Sequence, residues 1–202
     1  MTGPVRRRIV ALGDSTTAGT PGFLSPLEAP PHGRGDVTSQ YAYWLMQAHA
    51  DWEVLNRGVN GERSDQIRGR FERDVLQAEP DAVIVIAGVN DVYQRLPAAH
   101  VLEQLQEVYA RAAAAGIPVI AGTILPYDSA TADANAAMRE INAWLHRQAS
   151  GGRLRVVDTR AAVARPDDPD RLSESPDGLH PSPAGYRAMA DAIRPVLEQS
   201  LR

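Results

Sequence analysis

The sequence predicts an α/β protein in which a central, mostly parallel sheet of five strands is covered by helices on both faces. Five short apolar segments rich in β-branched residues alternate with segments whose apolar residues recur at helical spacing. None of the five alternates cleanly between apolar and polar residues, which is typical of strands buried on both faces and therefore of parallel sheets. We expect a single three-layer α/β/α domain that spans residues 1–202.

The five predicted strands are all short, and each ends close to glycine or polar residues. Along the chain they are RIVAL (8–12), WEVLN (52–56), AVIVIAG (82–88), IPVIAGT (117–123) and LRVVD (154–158).

Apolar residues at three- and four-residue spacing predict four helices between and after these strands. Gly116 is typical of the residue that follows a helix, and Ser182–Pro183 supplies an N-cap followed by proline at the first helical position. The patterns are set by Ile67, Phe71 and Val75; by Leu102, Leu105, Val108, Tyr109 and Ala112; by Met138, Ile141 and Leu145; and by Tyr186, Met189, Ala190, Ile193 and Leu197.

Composition and charge exclude several classes of protein. The 202 residues can bury one sizeable core, and 44% hydrophobic with 23% charged residues is typical of a soluble globular chain. A net charge of -4 indicates no nucleic-acid partner, and no apolar run approaches the roughly 18 residues of a membrane span. The absence of cysteine excludes thiol catalysis and disulfides. The segment before Asp14 is too short in apolar residues for a secretory signal, so a cytoplasmic location is expected.

Two long connections follow predicted strands, over residues 20–40 and 165–182. In an open parallel sheet, ligands bind beyond the carboxyl ends of the strands, and long loops at those ends are often functional. The segment 20–40 mixes Phe23 and Leu24 with proline, glycine and polar residues, which does not describe a long apolar tunnel. We therefore expect a small-molecule ligand without a long hydrocarbon chain.

Polar residues that can carry chemistry stand at the ends of three strands and just before the last helix. The fold brings these positions to one edge of the sheet. Together they offer a hydroxyl, an imidazole, a carboxylate, glycine N–H groups and a carboxamide, which are the components of acyl transfer. The four segments are Gly13-Asp14-Ser15, residues 56–61, Gly88-Val89-Asn90-Asp91 and Asp177-Gly178-Leu179-His180.

Other common site motifs are absent from the sequence. The serine segment lacks the G-x-S-x-G spacing of an α/β-hydrolase elbow, and no phosphate-binding G-K-[ST] loop occurs. No grouping of histidine and acidic residues has the spacing of a zinc or EF-hand calcium site. We expect neither a metal nor a cofactor.

The four segments resemble the sequence blocks of the SGNH (GDSL-type) esterases and acylhydrolases, in the same order and over nearly the whole chain. GDSTTAG is similar to the first block, NRGVNGERS to the second, IAGVND to the third and DGLHPSPAGY to the last. The resemblance implies a flavodoxin-like SGNH hydrolase fold and a serine esterase that cleaves carboxylic esters.

The resemblance also implies a role for each site residue. Ser15 would be the nucleophile, His180 the general base and acid, and Asp177 the carboxylate that orients His180. The backbone N–H groups of Ser15 and Gly61 and the side chain of Asn90 would form the oxyanion hole. Gly58 is a second candidate in the same block, and Gly61 is preferred because the family's glycine closes the turn several residues beyond the block's asparagine.

Several alternatives stay open at this point. The same site would suit an acyltransferase, a lysophospholipase or a thioesterase, and strand ends can also form a simple anion-binding module. Locally, Ser15 could be the N-cap of the next helix, and Asn90–Asp91 and Asp177–Gly178 could be ordinary turns. We favour an esterase with short acyl substrates, and the sequence predicts no oligomeric state.

Overall fold

The computed structural model describes residues 6–151 and 154–202. Within these residues it has seven strands and nine α-helices. The strands are β1 (Arg7–Gly13), β2 (Phe23–Leu24), β3 (Arg34–Gly35), β4 (Trp52–Gly58), β5 (Ala82–Ile86), β6 (Val119–Gly122) and β7 (Arg155–Val157). The helices are α1 (Ser15–Ala18), α2 (Tyr41–Ala48), α3 (Ser64–Gly69), α4 (Phe71–Asp74), α5 (Val89–Tyr93), α6 (Ala98–Ala114), α7 (Ala132–Ser150), α8 (Thr159–Val163) and α9 (Pro183–Ser200).

Five of the strands form one sheet in the order β4-β1-β5-β6-β7, with every neighbouring pair parallel. The chain moves outward from β1 in both directions, so the strand order reverses beside β1. Gly13, the last residue of β1, lies opposite Gly58 on β4 and Ile86 on β5. The three strands therefore end level with one another, and the crevice that such a reversal opens lies directly beyond Gly13.

The core lies on both faces of this sheet. Val10 and Leu12 of β1 pack on the face covered by α3, α6 and α7, whereas Ile9 and Ala11 pack on the face covered by α2 and α9. Alternate residues of a strand point to opposite faces, so a strand covered on both sides is apolar throughout. The predicted three-layer arrangement with a five-stranded parallel sheet is confirmed.

The predicted helices along residues 102–112, 138–145 and 186–197 are confirmed as α6, α7 and α9. The single helix predicted from Ile67, Phe71 and Val75 is instead two short helices that meet at Arg70. Ile67 lies in α3, Phe71 begins α4, and Val75 is the residue that follows α4. Arg70 has φ -103° and ψ 8°, and its buried side chain reaches backbone carbonyls outside both helices. These contacts of Arg70 accompany the break in the helix. The apolar spacing continues across the break because the residues on both sides pack into the same core.

The segment 20–40 is more ordered than its composition predicts. Strands β2 and β3 pair within it as an antiparallel hairpin, and Phe23 is buried. The Ser25 hydroxyl donates to the carbonyl of Gly58 at 2.6 Å, which fastens the hairpin to the end of β4. Among the described residues, no helix is both long and apolar enough to cross a membrane.

Candidate active site

The chain turns sharply after β1, at Gly13. A Cβ atom at this position would lie 2.4 Å from the carbonyl oxygen of Ile86 and 2.2 Å from Thr17 Oγ1, so only glycine fits. Asp14 follows as the N-cap of α1, and its carboxylate accepts from the backbone N–H of Thr16 at 2.9 Å. The alternative in which Ser15 caps this helix is therefore wrong, since Ser15 is its first residue. This position leaves the Ser15 hydroxyl free for other contacts.

Ser15, His180 and Asp177 lie together at the carboxyl edge of the sheet. Ser15 Oγ is 2.9 Å from His180 Nε2, and His180 Nδ1 is 2.7 Å from Asp177 Oδ2. Ser15 and His180 are both buried, with 4% and 9% of their surfaces exposed. When Nδ1–H donates to the carboxylate, Nε2 is left to accept the proton of the serine hydroxyl. The arrangement can therefore activate Ser15 as a nucleophile.

A tight turn holds the histidine in this orientation. Asp177 Oδ1 accepts from the backbone N–H groups of Leu179 and His180, each at 2.9 Å. Ser175 Oγ accepts from the N–H of Gly178 at 2.8 Å and donates to the carbonyl of His180 at 2.6 Å. Gly178 has φ +75°, a conformation that other residues rarely adopt. Both oxygens of Asp177 are thus engaged, one by the backbone and one by the imidazole ring.

The two carboxylates of the site are shifted in opposite directions. Burial raises the pKa of Asp14 to about 7, against the lowering effect of the Thr16 hydrogen bonds. Burial also raises the pKa of Asp177, but the hydrogen bonds from the His180 ring and from the Leu179 and His180 N–H groups outweigh it and lower the pKa overall. Asp177 is therefore the carboxylate suited to remain ionised beside an imidazolium.

Each of the three predicted oxyanion donors has an N–H hydrogen without a hydrogen-bond partner among the described residues. Within the described residues, the backbone N–H groups of Ser15 and Gly61 form no hydrogen bond. Asn90 Nδ2 donates one hydrogen to the carbonyl of Glu62 at 2.9 Å and retains a second. The N–H of Gly58 is already used, because it donates to Asn56 Oδ1 at 2.9 Å, so Gly61 remains the better candidate.

A small pocket opens over Ser15 and Asn90. Its volume is about 160 Å³, and Ser15, Asn60, Asn90, Leu179 and His180 are among the residues that line it. Asn60, one of these lining residues, directly precedes Gly61 in the chain. No residue of the segment 20–40 is among the described lining residues.

Sequence reasoning missed the side chain of Asp91. It is completely buried, and its two oxygens accept from the backbone N–H and the hydroxyl of Ser64 at 2.8 and 2.7 Å. Asp91 follows Asn90 in the chain, and Ser64 begins α3 just after the Gly61 turn. These bonds fix the start of α3, which follows the Gly61 turn, against α5, which carries Asn90. An acidic residue directly after Asn90 is the signal that could have found it.

Arg70 was also missed. Its guanidinium donates to the carbonyls of Gly13 and Arg57, both at 2.8 Å, and to Glu62 Oε2 at 2.6 Å. It also pairs with the buried Asp74 at 2.7 Å. One side chain therefore joins the ends of β1 and β4 to Glu62, the residue after Gly61. The only sequence signal was an arginine inside an apolar helical pattern.

Among the side chains of residues 6–151 and 154–202, Asp65, Asp91 and His100 form a group of possible metal ligands, with one atom from each within 4.8 Å of the others. Both oxygens of Asp91 already accept hydrogen bonds from Ser64. We therefore assign this group a structural role where α3, α5 and α6 meet.

The chain is similar to known proteins in sequence and in fold. The model of the GDSL-like lipase/acylhydrolase family matches residues 11–188. An acetylxylan esterase of Geobacillus stearothermophilus is 26% identical over 170 residues, which cover 76% of this chain and 77% of that protein. A lipolytic protein of the G-D-S-L family from Desulfitobacterium hafniense has a TM-score of 0.79 at 24% identity, covering 95% of this chain and 99% of its own. A GDSL-like lipase from Bacteroides thetaiotaomicron has a TM-score of 0.78 at 22% identity, covering 96% and 89%.

Proposed function

The chain belongs to the GDSL-like lipase/acylhydrolase family, and from this premise we propose that it is a serine esterase with Ser15, His180 and Asp177 as its triad. The proposal is carried by one observation, the continuous series of hydrogen bonds from Ser15 Oγ through the His180 ring to Asp177. The esterase and acylhydrolase class follows from the family, and the residue roles are our assignment.

Acylation begins when Ser15 Oγ attacks the ester carbonyl carbon while its proton passes to His180 Nε2. Asp177 stabilises the imidazolium that forms, and it keeps the ring in the required tautomer. The carbonyl oxygen becomes an oxyanion that accepts hydrogen bonds from the N–H groups of Ser15 and Gly61 and from Asn90 Nδ2. The C–O bond to the alcohol then breaks, and the alcohol leaves with the proton from Nε2.

Deacylation repeats these steps with water as the nucleophile. His180 Nε2 removes a proton from the water as it attacks the acyl-enzyme carbonyl, and the same donors receive the oxyanion. The bond to Ser15 Oγ breaks, the proton on Nε2 returns to Oγ, and the carboxylic acid departs. No step requires a metal or a redox cofactor.

The proposed acyl group is short. The pocket over Ser15 has a volume of only about 160 Å³. Strands β2 and β3 pair within the segment 20–40 and Phe23 is buried, so the segment does not form a long apolar channel. A chain of twelve or more carbons would have to leave this pocket. The acetylxylan esterase relative supports the same preference, because the ester group that its name specifies is acetate.

The nucleophile can be tested by covalent labelling. A fluorophosphonate probe should label the wild-type protein once, and Ser15→Ala should abolish both labelling and hydrolysis of p-nitrophenyl acetate. Ser173→Ala is a matched control, since Ser173 is exposed and its side chain makes no hydrogen bond among the described residues. Undiminished labelling of the Ser15→Ala protein would overturn the assignment.

A further inference from the structure

A second and larger cleft adjoins the pocket over Ser15. Its volume is about 750 Å³, within the range of ligand sites, and Tyr93 and Tyr127 line both spaces. One wall is the connection from α5 to α6, which carries Arg95, and the other is the start of α7, which carries Asp133. We call this space the polar cleft.

We propose that the polar cleft binds the alcohol part of the ester and that this alcohol is an uncharged carbohydrate unit. The inference rests on the proposed function, because it takes Ser15 as the centre from which the two parts of the substrate extend. The acyl group then occupies the smaller pocket, and the larger alcohol occupies the cleft.

The first argument comes from Tyr93. Its side chain is 58% exposed, an unusual exposure for a large aromatic residue, and its ring packs edge-on against Tyr127 at 5.7 Å between centroids. Tyr93 lies three residues after Asn90 on α5, so the two side chains share one side of that helix. The exposed ring is an apolar platform next to the reacting carbonyl. The face of a sugar ring presents C–H groups that suit such a platform.

The second argument comes from the charges. Arg95 and Asp133 are both exposed, and within the described residues neither forms an ion pair or a side-chain hydrogen bond. Arg95 offers only donors and Asp133 only acceptors, while Ser129 and Thr131 on the same lining offer both. Opposite charges that cancel across a cleft favour a neutral ligand with many hydroxyls. A phosphorylated alcohol would meet Asp133, and a hydrocarbon chain would desolvate both charged groups.

The third argument is the backbone at Arg95. Its φ is +63°, in the left-handed region, which is unfavourable for a residue with a side chain. Two hydrogen bonds hold the turn, from the Arg95 N–H to the carbonyl of Val92 and from the Leu96 N–H to the carbonyl of Asp91, both at 2.9 Å. Residues with side chains in sparsely populated backbone conformations cluster at functional sites, and Arg95 lines the cleft. The same turn connects the cleft wall to Asp91, whose carboxylate holds Ser64 at the start of α3.

The test compares two acetyl esters that differ only in the alcohol, p-nitrophenyl acetate and an acetylated xylo-oligosaccharide. The variants are Arg95→Asn, which tolerates the left-handed backbone, and Asp133→Asn. We expect each to lower kcat/KM for the oligosaccharide by about three- to tenfold, mostly by raising KM. This is the effect expected when roughly one hydrogen bond to the substrate is lost. Hydrolysis of p-nitrophenyl acetate should change less than about twofold. Asp191→Asn, an exposed change on α9 remote from the cleft, should leave both unchanged.

Equal losses on both esters, or no loss on either, would overturn the inference and leave the proposed esterase standing. Faster hydrolysis of acetyl-coenzyme A than of the oligosaccharide, lost in Arg95→Asn, would overturn it in favour of an anionic alcohol or thiol. A binding measurement separates the cleft from the chemistry. The Ser15→Ala protein should bind the oligosaccharide, as followed by calorimetry, and the added Asp133→Asn change should weaken that binding. Failure to bind would contradict the cleft assignment, whereas failure of the wild type on p-nitrophenyl acetate would contradict the proposed function.

Discussion

The turn that carries Ser15 and the turn that carries His180 each contain an aspartate, and the pKa values of the two carboxyls are shifted in opposite directions. Asp14 is 1% exposed, and its Oδ2 atom has no hydrogen-bond partner among the described residues. The Asp177 side chain is 32% exposed, and its oxygens accept hydrogen bonds from the His180 ring and from the backbone N–H groups of Leu179 and His180. One turn therefore disfavours a negative charge, and the other stabilises it.

This difference separates the roles of the two turns. Burial raises the pKa of Asp14 to about 7, so its carboxyl carries a proton over much of the acidic range while it caps α1 behind Ser15. The pKa of Asp177 is lowered, so that carboxyl is ionised wherever His180 can act as a base. Two carboxyls whose environments separate their pKa values are typical of sites that assign them different tasks. In our assignment Asp14 positions the nucleophile and Asp177 serves the histidine.

Asp177→Asn should have the largest effect. An amide nitrogen would replace the carboxylate oxygen that faces the His180 ring, and it cannot accept a hydrogen bond from Nδ1. The ring would therefore no longer be held in the required tautomer, and its positive charge would lose the stabilising carboxylate. We expect kcat to fall about 10⁴-fold, as in other Ser-His-Asp hydrolases, measured by steady-state kinetics with p-nitrophenyl acetate. A loss below tenfold would mean that Asp177 only shapes the turn, and the contrast with Asp14 would collapse.

The extent to which sequence could predict this site differs between its parts. Ser15 and Asn90 directly follow strands, and the topology of a parallel sheet brings such strand ends together whatever the details. His180 lies just before α9, and a short sequence segment around it was enough to identify it. The contacts of Arg70 and Asp91 depend on where two separate loops end in space, which local periodicity does not encode. The break between α3 and α4 has the same origin, because the apolar residues on either side still face one core.

The environment of Asp14 was likewise beyond sequence reasoning. Its charge state depends on burial by side chains from distant parts of the chain, among them Ile86, Ile124 and Leu125. The segment 20–40 shows the opposite limit. Its two-residue strands are too short for any apolar alternation, and only the pairing of Phe23 with Gly35 and of Leu24 with Arg34 reveals a hairpin there.

The second largest effect should be on stability, through Asp14→Asn. Asparagine is also a good N-cap, so the hydrogen bond to the Thr16 N–H can persist while the ionisation is removed. The pKa of Asp14 is higher in the folded protein than in the unfolded chain, so its contribution is complete at low pH and is lost as pH rises through about 7. At about 1.4 kcal/mol per pKa unit, the loss from about pH 4 to above pH 7 is on the order of 4 kcal/mol.

The measurement is the free energy of unfolding from denaturant titrations at a series of pH values. The difference between the wild type and Asp14→Asn should shrink or reverse from about pH 4 to about pH 7 and stay constant above about pH 8. Asp177 does not blur this window, because a lowered pKa gives stability that is lost only on acidification. Parallel curves for the two proteins would show that Asp14 ionises normally despite its burial. The charged and titratable groups that interact electrostatically with the Asp14 carboxyl are Arg70, Asp91, Tyr41 and Tyr186.

Asn90→Ala tests a donor that lies in neither turn. The side chain should act chiefly on the oxyanion, so kcat should fall about 10²–10³-fold with little change in KM. Asn60→Ala is the matched control, since Asn60 also carries a carboxamide in the pocket lining but is not assigned as a donor. A strong rise in KM with nearly normal kcat would reassign Asn90 to ground-state binding. The thermal midpoint should be recorded too, because Asn90 Nδ2 also holds the carbonyl of Glu62.

The smallest effect is expected for Ser175→Ala, which probes whether the histidine turn needs more than Asp177. The change removes hydrogen bonds to the Gly178 N–H and the His180 carbonyl, but water can reach both groups in this partly exposed turn. A loss of about 1 kcal/mol in unfolding free energy should follow, and kcat should fall only a few-fold with KM unchanged. Ser173→Ala, two residues earlier and without a side-chain hydrogen bond among the described residues, should alter neither value. If Ser175→Ala instead reduced kcat as much as Asp177→Asn, the hydroxyl would be what fixes the imidazole. The carboxylate would then lose its special place in the comparison with Asp14.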